Sequence, residues 1–389
     1  MKILLTTDWW VPAVNGVVRS VLLLRQQLIA QGHDVKVLTL SSTGHSYEED
    51  GIIYLGSLNA GRIYPGARIR CSTTGHWREE LRNWRPDIVH SQCEFSTFGP
   101  AWRISRRCGC PLVHTYHTVY EDYTRYLIPS VHYGRLAVQQ FTRLIAARCT
   151  ALVAPTNKVR DLLLDYNVKC PIYTVPTGID LTAFSPVKRE ERPALRRQLG
   201  LPEEKILLVA VGRVAAEKNP ELLVQFLAQE RPEDRPTLVF VGDGPYRAEL
   251  EQLTAELGLS DWVIFTGMIA PEKVMQYYQA GDAFACASRS ETQGLTYFEA
   301  LACGLPLFCR EDTCLDGVVE NGWNGWLWND YDEFHAALSA LRAGDEERWT
   351  ELSRNALDTA ERYSAENFAR QVLNVYNELL EREDLTATV

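Results

Sequence analysis

Two acidic residues eight positions apart stand in "SETQGLTYFEALACGLP" (290–306). Glu291 follows an apolar run. Glu299 lies among Tyr297, Phe298, Ala300, Leu301 and Ala302, a segment patterned as a largely buried helix. A buried carboxylate requires a partner, and carboxylates bind vicinal diols through charge-assisted hydrogen bonds. The chemistry this suggests is Glu299 accepting from the two hydroxyls of a ribose and Glu291 from sugar hydroxyls. The plainer alternative is that both carboxylates solvate a helix. Between them Gly294, Leu295 and Thr296 open the helix without bulk or charge, so that their free N–H groups could hold a phosphate.

Two cations stand at another apolar run's end, in "VGRVAAEKNP" (211–220). Arg213 as a planar fork and Lys218 as a point charge, beside a helix opening at Asn219-Pro220, suit a diphosphate. A solvated loop is the alternative. In "DWWVPAVNGVVRS" (8–20) Asn15-Gly16 sits between a strand and a helix, where Gly16 lets backbone N–H groups approach an anion; a simple turn is equally consistent. In "FVGDGPYRAEL" (240–250) Gly242 and Gly244 bracket a strand-to-helix turn. They lack the third glycine of a dinucleotide fingerprint, and a tight turn explains them as well as ligand contact does. "HTYHTVYEDY" (114–123) closes a strand with His114 and His117. No third zinc ligand accompanies them; one histidine reads as structural and His117 as a polar contact in the site.

These residues need strand ends and helix starts to position them, and the sequence supplies both. Apolar runs at 2–7, 34–40, 51–56, 87–92, 111–117, 151–156 and 172–178 alternate with amphipathic stretches. After a polar stretch at 185–205 the rhythm resumes at 206–213, 237–244, 262–267, 283–288 and 305–310. Strands alternating with helices form parallel sheets covered on both faces. The expectation is an α/β chain of two doubly wound, Rossmann-like domains facing across a cleft: an N-terminal acceptor and membrane-facing domain over 1–180 and a C-terminal donor domain over 181–364. A capped amphipathic helix near 365–389 is free to pack back on the first domain.

Composition narrows the function classes. The chain is 389 residues long, with 46% hydrophobic and 23% charged residues. No apolar run reaches the length of a membrane span, and the N-terminus lacks the pattern of a signal peptide. Ten scattered cysteines show no zinc spacing and read as buried thiols of a reduced, cytoplasmic protein. Residues 1–189 hold 22 Lys+Arg against 14 Asp+Glu, whereas residues 190–389 hold 18 against 36. Only the first half is therefore suited to an anionic surface. Without a nucleic-acid motif, a membrane face fits better than nucleic acid. Arg103, Arg106 and Arg107 share one helical face, and Arg125, Arg135, Arg143 and Arg148 are interspersed with Tyr, Leu, Ile and Val, the pattern of a peripheral lipid-binding surface. An ordinary helix with its apolar side in the core is the alternative. Asp330-Tyr331-Asp332 forms a D-x-D, read as helix capping rather than a metal pair.

Taken together, the E-x7-E pair with "GLTYFEALACGLP", the "VGRVAAEKN" clamp, "FVGDGP" and "VPTGID" (175–180) resemble the retaining GT-B glycosyltransferases of family 4. The first-half segments "TTDWWVPAVNGVVRS", "DIVHSQCEFSTFGPAWRIS" and "HTYHTVYEDYTRYL" are similar to the bacterial 1,2-diacylglycerol 3-glucosyltransferases, although Cys93 and Thr97 depart from the usual wording. The resemblance implies a UDP-sugar donor, with glucose transferred to diacylglycerol at the inner, cytoplasmic face of the cell membrane and the anomeric configuration retained. It assigns the departing diphosphate to Arg213 and Lys218, the ribose to Glu299, the sugar to Glu291 and His117, and phosphate N–H contacts to the chain near Gly16 and Gly294. It implies no tightly bound cofactor and identifies no metal site, while leaving Mg2+ stimulation open. Other readings compete: a soluble family 4 enzyme with a small polar acceptor, an enzyme adding a second sugar to a glycolipid, and a nucleotide-sugar-binding protein without catalysis.

Overall fold

The computed structural model describes the chain except for Val14 and residues 62–65, 72–74, 122–130 and 388–389. It contains two compact units. The first joins Met1–Gly178 to Ala365–Val389, and the second is Ile179–Ser364.

In the first unit, β1 (Lys2–Thr6), β2 (Asp34–Leu40), β3 (Tyr47–Glu49) and β4 (Ile52–Leu55) are followed by a separate antiparallel pair, β5 (Ser57–Asn59) and β6 (Arg68–Arg70). Then come β7 (Ile88–Ser91), β8 (Leu112–Thr115), β9 (Ala151–Ala154) and β10 (Ile172–Thr174). The main sheet runs β10-β9-β8-β7-β1-β2-β4-β3 and is parallel except where β3 meets β4. Its inner strands are unbroken apolar runs because helices cover both faces. One covering helix, Gly16–Ala30, buries Val21, Leu24 and Leu28 against Ile3, Leu5 and Val37.

The helix Ala365–Ala387 belongs to this unit, as Phe368, Val372, Tyr376 and Leu379 join the same core cluster. Each such fully buried side chain contributes roughly 1.5–3 kcal/mol. The helix also carries a polar anchor. Tyr376 Oη lies 2.6 Å from His90 Nδ1, and His90 Nε2 lies 2.7 Å from Thr115 Oγ1, so that this buried imidazole is hydrogen-bonded at both nitrogens.

The second unit holds β11 (Leu207–Val211), β12 (Thr237–Val241), β13 (Val263–Gly267), β14 (Ala283–Cys286), β15 (Leu307–Arg310) and β16 (Gly325–Trp328). All are parallel, in the order β13-β12-β11-β14-β15-β16. The doubly wound α/β architecture expected from the alternating pattern is present in both units. The polar stretch before β11 folds as well, as a 3₁₀ turn (Arg189–Glu191) and a helix (Arg192–Leu199) that stops at Gly200 in the left-handed conformation.

Candidate active site

In each sheet the strand order reverses at one point, β1/β7 in the first unit and β11/β14 in the second. Open α/β sheets bind ligands beyond the carboxyl ends of the strands at such a switch point. In the second unit Arg213 and Lys218 follow β11, and Glu291 and Gly294 follow β14. The fold therefore brings the two cations and the first carboxylate to one edge, the edge where an anionic ligand is expected.

The charges there are already paired. Lys218 Nζ lies 2.8 Å from Glu291 Oε1, and Arg213 forms an ion pair with Glu217, four residues on, in the 3₁₀ turn Ala216–Lys218. Burial pulls the Lys218 pKa down, but the Glu291 charge, the Cys286 thiol and the Glu291 hydrogen bond outweigh it and leave the ammonium above its usual value. Glu217 is absent from the motif-based reading. Its only signal is its place as an acidic residue in the short loop between Arg213 and Lys218.

The turns around these residues are packed backbone to backbone. Gly212 N–H donates to Val241 O at 3.0 Å, and Gly242 N–H to Gly267 O at 3.1 Å. A Cβ on Gly242 (φ +136°) would lie 2.1 Å from the Gly212 carbonyl oxygen, so the glycine is required by turn-on-turn packing alone. Gly294 (φ +72°) caps the helix Leu295–Ala302 in the left-handed region. A Cβ there would meet the Tyr297 ring at 2.4 Å. The bare helix start thus has a local cause besides access for a ligand. Tyr297 Oη in turn donates to Cys286 Sγ at 3.3 Å. Leu295 and Thr296 fall in the helix's first turn, where backbone N–H groups have no intrahelical acceptor and can meet an anion.

Glu299 is 3% exposed, one turn deeper on the same helix. Its Oε2 accepts from Tyr278 Oη at 2.8 Å. Tyr278 comes from the helix Pro271–Ala280, and nothing in the sequence near Glu299 announces it.

In the first unit Asn15 Oδ1 accepts from Val18 N–H at 2.9 Å, which makes Asn15 the cap and Gly16 the first residue of its helix. Beyond β7, Asp8 accepts from the backbone N–H groups of Ser96 and Thr97 at 3.0 and 2.7 Å, just ahead of the helix Phe98–Cys108. Thr97 and Cys93 are both buried there. Glu94, also buried, is held by Tyr120 Oη at 2.5 Å and lies 3.2 Å from His114 Nε2. His117, past the end of β8, lies with Nε2 2.7 Å from Gln92 Oε1. A carbonyl oxygen only accepts, so His117 carries its proton on Nε2 and presents Nδ1 as a lone pair. Burial lowers its pKa to about 4; the nearby Glu94 charge pushes up and His114 down. Gln92 and Glu94 escape the sequence reading, although polar residues straight after a strand's carboxyl end are the available signal.

Arg103, Arg106 and Arg107 are exposed on the helix Phe98–Cys108. Trp102 lies beneath two guanidinium groups, Arg106 and Arg148, each 5.4 Å from its ring centroid. The helix Val131–Ala146 exposes Tyr133, Leu136 and Leu144. Arg143 departs from the expected basic face, donating to Tyr166 O at 2.5 Å. Arg125 lies outside the described residues. Asp330 caps the helix Tyr331–Arg342 by accepting from Glu333 N–H at 3.0 Å, which gives the D-x-D a structural use.

Family profiles match the chain in two blocks, Glycosyltransferase Family 4 over residues 14–183 and Glycosyl transferases group 1 over residues 191–358. The α-monoglucosyldiacylglycerol synthase of Streptococcus pneumoniae is 35% identical over 381 residues, 97% of this chain and 85% of that protein. The chain belongs to glycosyltransferase family 4. It is an enzyme, a hexosyltransferase by kinship, and its resemblance extends to a second α-monoglucosyldiacylglycerol synthase, from Acholeplasma laidlawii, at 29% identity over 99% of this chain and 98% of the relative. Among solved structures, the HepE protein of Anabaena in complex with UDP-glucose shares the fold with a TM-score of 0.73 at 18% identity, covering 97% of this chain and all of that one. The family 4 membership and the GT-B fold class agree with the motif reading.

Proposed function

We propose that this glycosyltransferase moves glucose from UDP-glucose to the 3-hydroxyl of 1,2-diacylglycerol at an anionic membrane face, retaining the anomeric configuration. The observation that carries this reading is the likeness, over nearly the whole chain, to two proteins named α-monoglucosyldiacylglycerol synthase. The exposed arginines around Trp102, beside a helix that exposes Tyr133, Leu136 and Leu144, support a lipid-facing acceptor unit. No helix among the described residues is long and apolar enough to cross a membrane, and in this reading attachment is peripheral, on the inner face.

In this reading Arg213 and Lys218 neutralise the departing diphosphate, with N–H groups at the start of the Leu295–Ala302 helix. Stabilising developing charge with fixed cations and dipoles is a large catalytic contribution. Glu299 takes the ribose and Glu291 the transferring sugar, and His117, past the end of β8 in the first unit, is proposed as a polar sugar contact. The leaving phosphate oxygen accepts the proton from the attacking hydroxyl on the same face. That proton transfer requires no nucleophile from the chain. Support for a uridine nucleotide comes from the fold shared with a protein solved with UDP-glucose.

The test is incubation of the purified chain with UDP-glucose and diacylglycerol in vesicles containing anionic lipid, followed by mass spectrometry and proton NMR of the lipid. Monoglucosyldiacylglycerol with an α linkage is the expected product. A β linkage overturns retention. Glucose appearing only on added soluble acceptors, with no flotation on anionic vesicles at low salt, overturns the lipid reading.

A further inference from the structure

The polar stretch ahead of β11 buries two arginines that the transfer reaction does not use. Arg196 uses four of its five N–H groups: it donates to Ala280 O at 2.8 Å, Glu203 O at 3.1 Å, Lys205 O at 2.9 Å and Asp282 Oδ2 at 2.7 Å. Arg192, one turn earlier, is equally inaccessible at 7% exposure, yet its Nε and Nη1 make no hydrogen bond. The carboxylate facing it, Asp282 Oδ1, is 3.5 Å from Nη1, and Asp282 Oδ2 already accepts from both Arg196 and Leu207 N–H. Arg189 adds a second buried Nη1 with no hydrogen-bond partner, while its Nε lies 3.6 Å from Glu346 Oε2 and its guanidinium 4.5 Å from the Trp349 ring centroid.

Arg189 and Arg192 line one cavity of about 240 Å³, together with Arg196, Lys205 and Arg342. At about 30 Å³ per water this equals about eight waters, room for a small polar ligand. Five cations line it, of which Arg196 is paired with Asp282, Arg342 with Asp234 at 3.1 Å and Arg189 with Glu346 at 3.6 Å, so the buried donors left without a hydrogen bond are Arg192 Nε and Nη1 and Arg189 Nη1. Glu203 is turned toward Arg197, with an oxygen 2.6 Å from its guanidinium. Leaving guanidinium N–H groups buried and unpaired is unfavourable. A planar fork of such donors matches a tetrahedral or planar oxyanion.

We propose that this cavity is a binding site for a small oxyanion, a phosphate or a phosphomonoester, held by Arg192 and Arg189. The site is separate from the candidate active site. Lys205 and Asp282 lie just before the amino ends of β11 and β14, whereas Arg213 and Glu291 lie beyond the carboxyl ends of the same two strands. Strands of this length rise about 13–17 Å. Burial holds the Arg192 pKa below the usual guanidinium value, with Arg196 and Arg189 reinforcing it and the Asp282 and Glu346 charges opposing.

Equilibrium dialysis of the full chain against radiolabelled inorganic phosphate, at ionic strength held constant with NaCl, tests the site. Wild type and Lys218→Ala are expected to bind one phosphate per chain at millimolar concentration, which separates this cavity from the diphosphate clamp. Arg192→Met is expected to weaken binding about tenfold or more, and Arg192→Lys to recover only part of it, because the fork is lost. Should Arg192→Met fail to fold, Arg189→Ala, altering a half-exposed side chain, is expected to weaken binding several-fold. Competition with glycerol 3-phosphate separates the two sources: displacement tighter than inorganic phosphate assigns a phosphomonoester, and equal or weaker displacement the free ion. Absence of saturable binding in wild type overturns the proposal. So does undiminished binding in folded Arg192→Met or Arg189→Ala, or binding lost in Lys218→Ala alone.

Discussion

Lys218 Nζ and Glu291 Oε1 are 2.8 Å apart, joining the turn after β11 to the loop after β14 at the switch point of the second sheet. The pair sets the position of both side chains, so removing either releases the other. Lys218→Ala and Glu291→Ala are each expected to lower kcat/KM by about 2–4 kcal/mol, the range for one lost charge-stabilising contact. The double variant is expected to lose less than the sum, because the second change removes a group already displaced. Steady-state kinetics with UDP-glucose over the four proteins measures this. Additive losses would show that the pair is not coupled in the reacting complex, and unchanged rates in both single variants would remove these residues from the site.

Arg213 is paired with Glu217, a carboxylate that an incoming diphosphate must displace. Glu217→Gln keeps the side chain's size and removes its charge. UDP is expected to bind several-fold more tightly to the variant, and more steeply with salt, because the attraction of Arg213 for the diphosphate is no longer offset by a neighbouring carboxylate and is open to screening. Calorimetric titration with UDP at two salt concentrations reads the change. Affinity equal to wild type would mean that Arg213 does not face the nucleotide.

How much of this is legible in the sequence depends on whether a partner is near in the chain. The inner strands are legible because both faces are buried, which writes Val, Leu and Ile without interruption. Arg213, Lys218, Glu291 and Gly294 are legible because parallel α/β folds collect polar residues at strand ends. Tyr278 is not, since its contact with Glu299 comes from another helix and side-chain identity carries no trace of it; Gln92 shares the strand-end signal, but its pairing with His117 is written nowhere near it in the chain. Arg192 and Arg196 look like solvated helix charges, because a run of arginines and glutamates reads the same exposed or buried. Only the fold over Asp282 turns them inward.

Gly294 is held at φ +72° with the Tyr297 ring where a Cβ would go. Gly294→Ala is expected to cost about 1–3 kcal/mol of stability from the left-handed backbone and the clash together. The comparison Gly294→Ala with Tyr297→Ala separates the two causes: the alanine at 294 is better tolerated once the ring is gone, and the remaining loss is conformational. Urea denaturation of the two single variants and of the double variant measures it. A loss in Gly294→Ala that Tyr297→Ala leaves undiminished would assign the whole effect to the backbone.

His117 makes the first unit acid-sensitive in a defined window. In the folded chain burial brings its pKa to about 4, with Glu94 opposing and His114 reinforcing, and His90 stands nearby as a further buried base. In the unfolded chain the value is about 6.5. Between these pH values the unfolded chain binds a proton that folded His117 refuses. Stability is therefore full above about pH 6.5 and falls as pH drops toward 4, at about 1.4 kcal/mol per pH unit from this group. His90, also lowered, adds a contribution of the same sign. His117→Gln is expected to flatten the slope of unfolding free energy between pH 6.5 and 4.5 by about that amount, leaving the His90 part. Gln92→Glu acts oppositely on the imidazole: a carboxylate at 2.7 Å favours its charged form, so the acid limb of kcat/KM shifts to higher pH as the Nδ1 lone pair is lost. Urea melts and rate profiles across that range test both, and an unflattened slope in His117→Gln would show that the imidazole titrates normally.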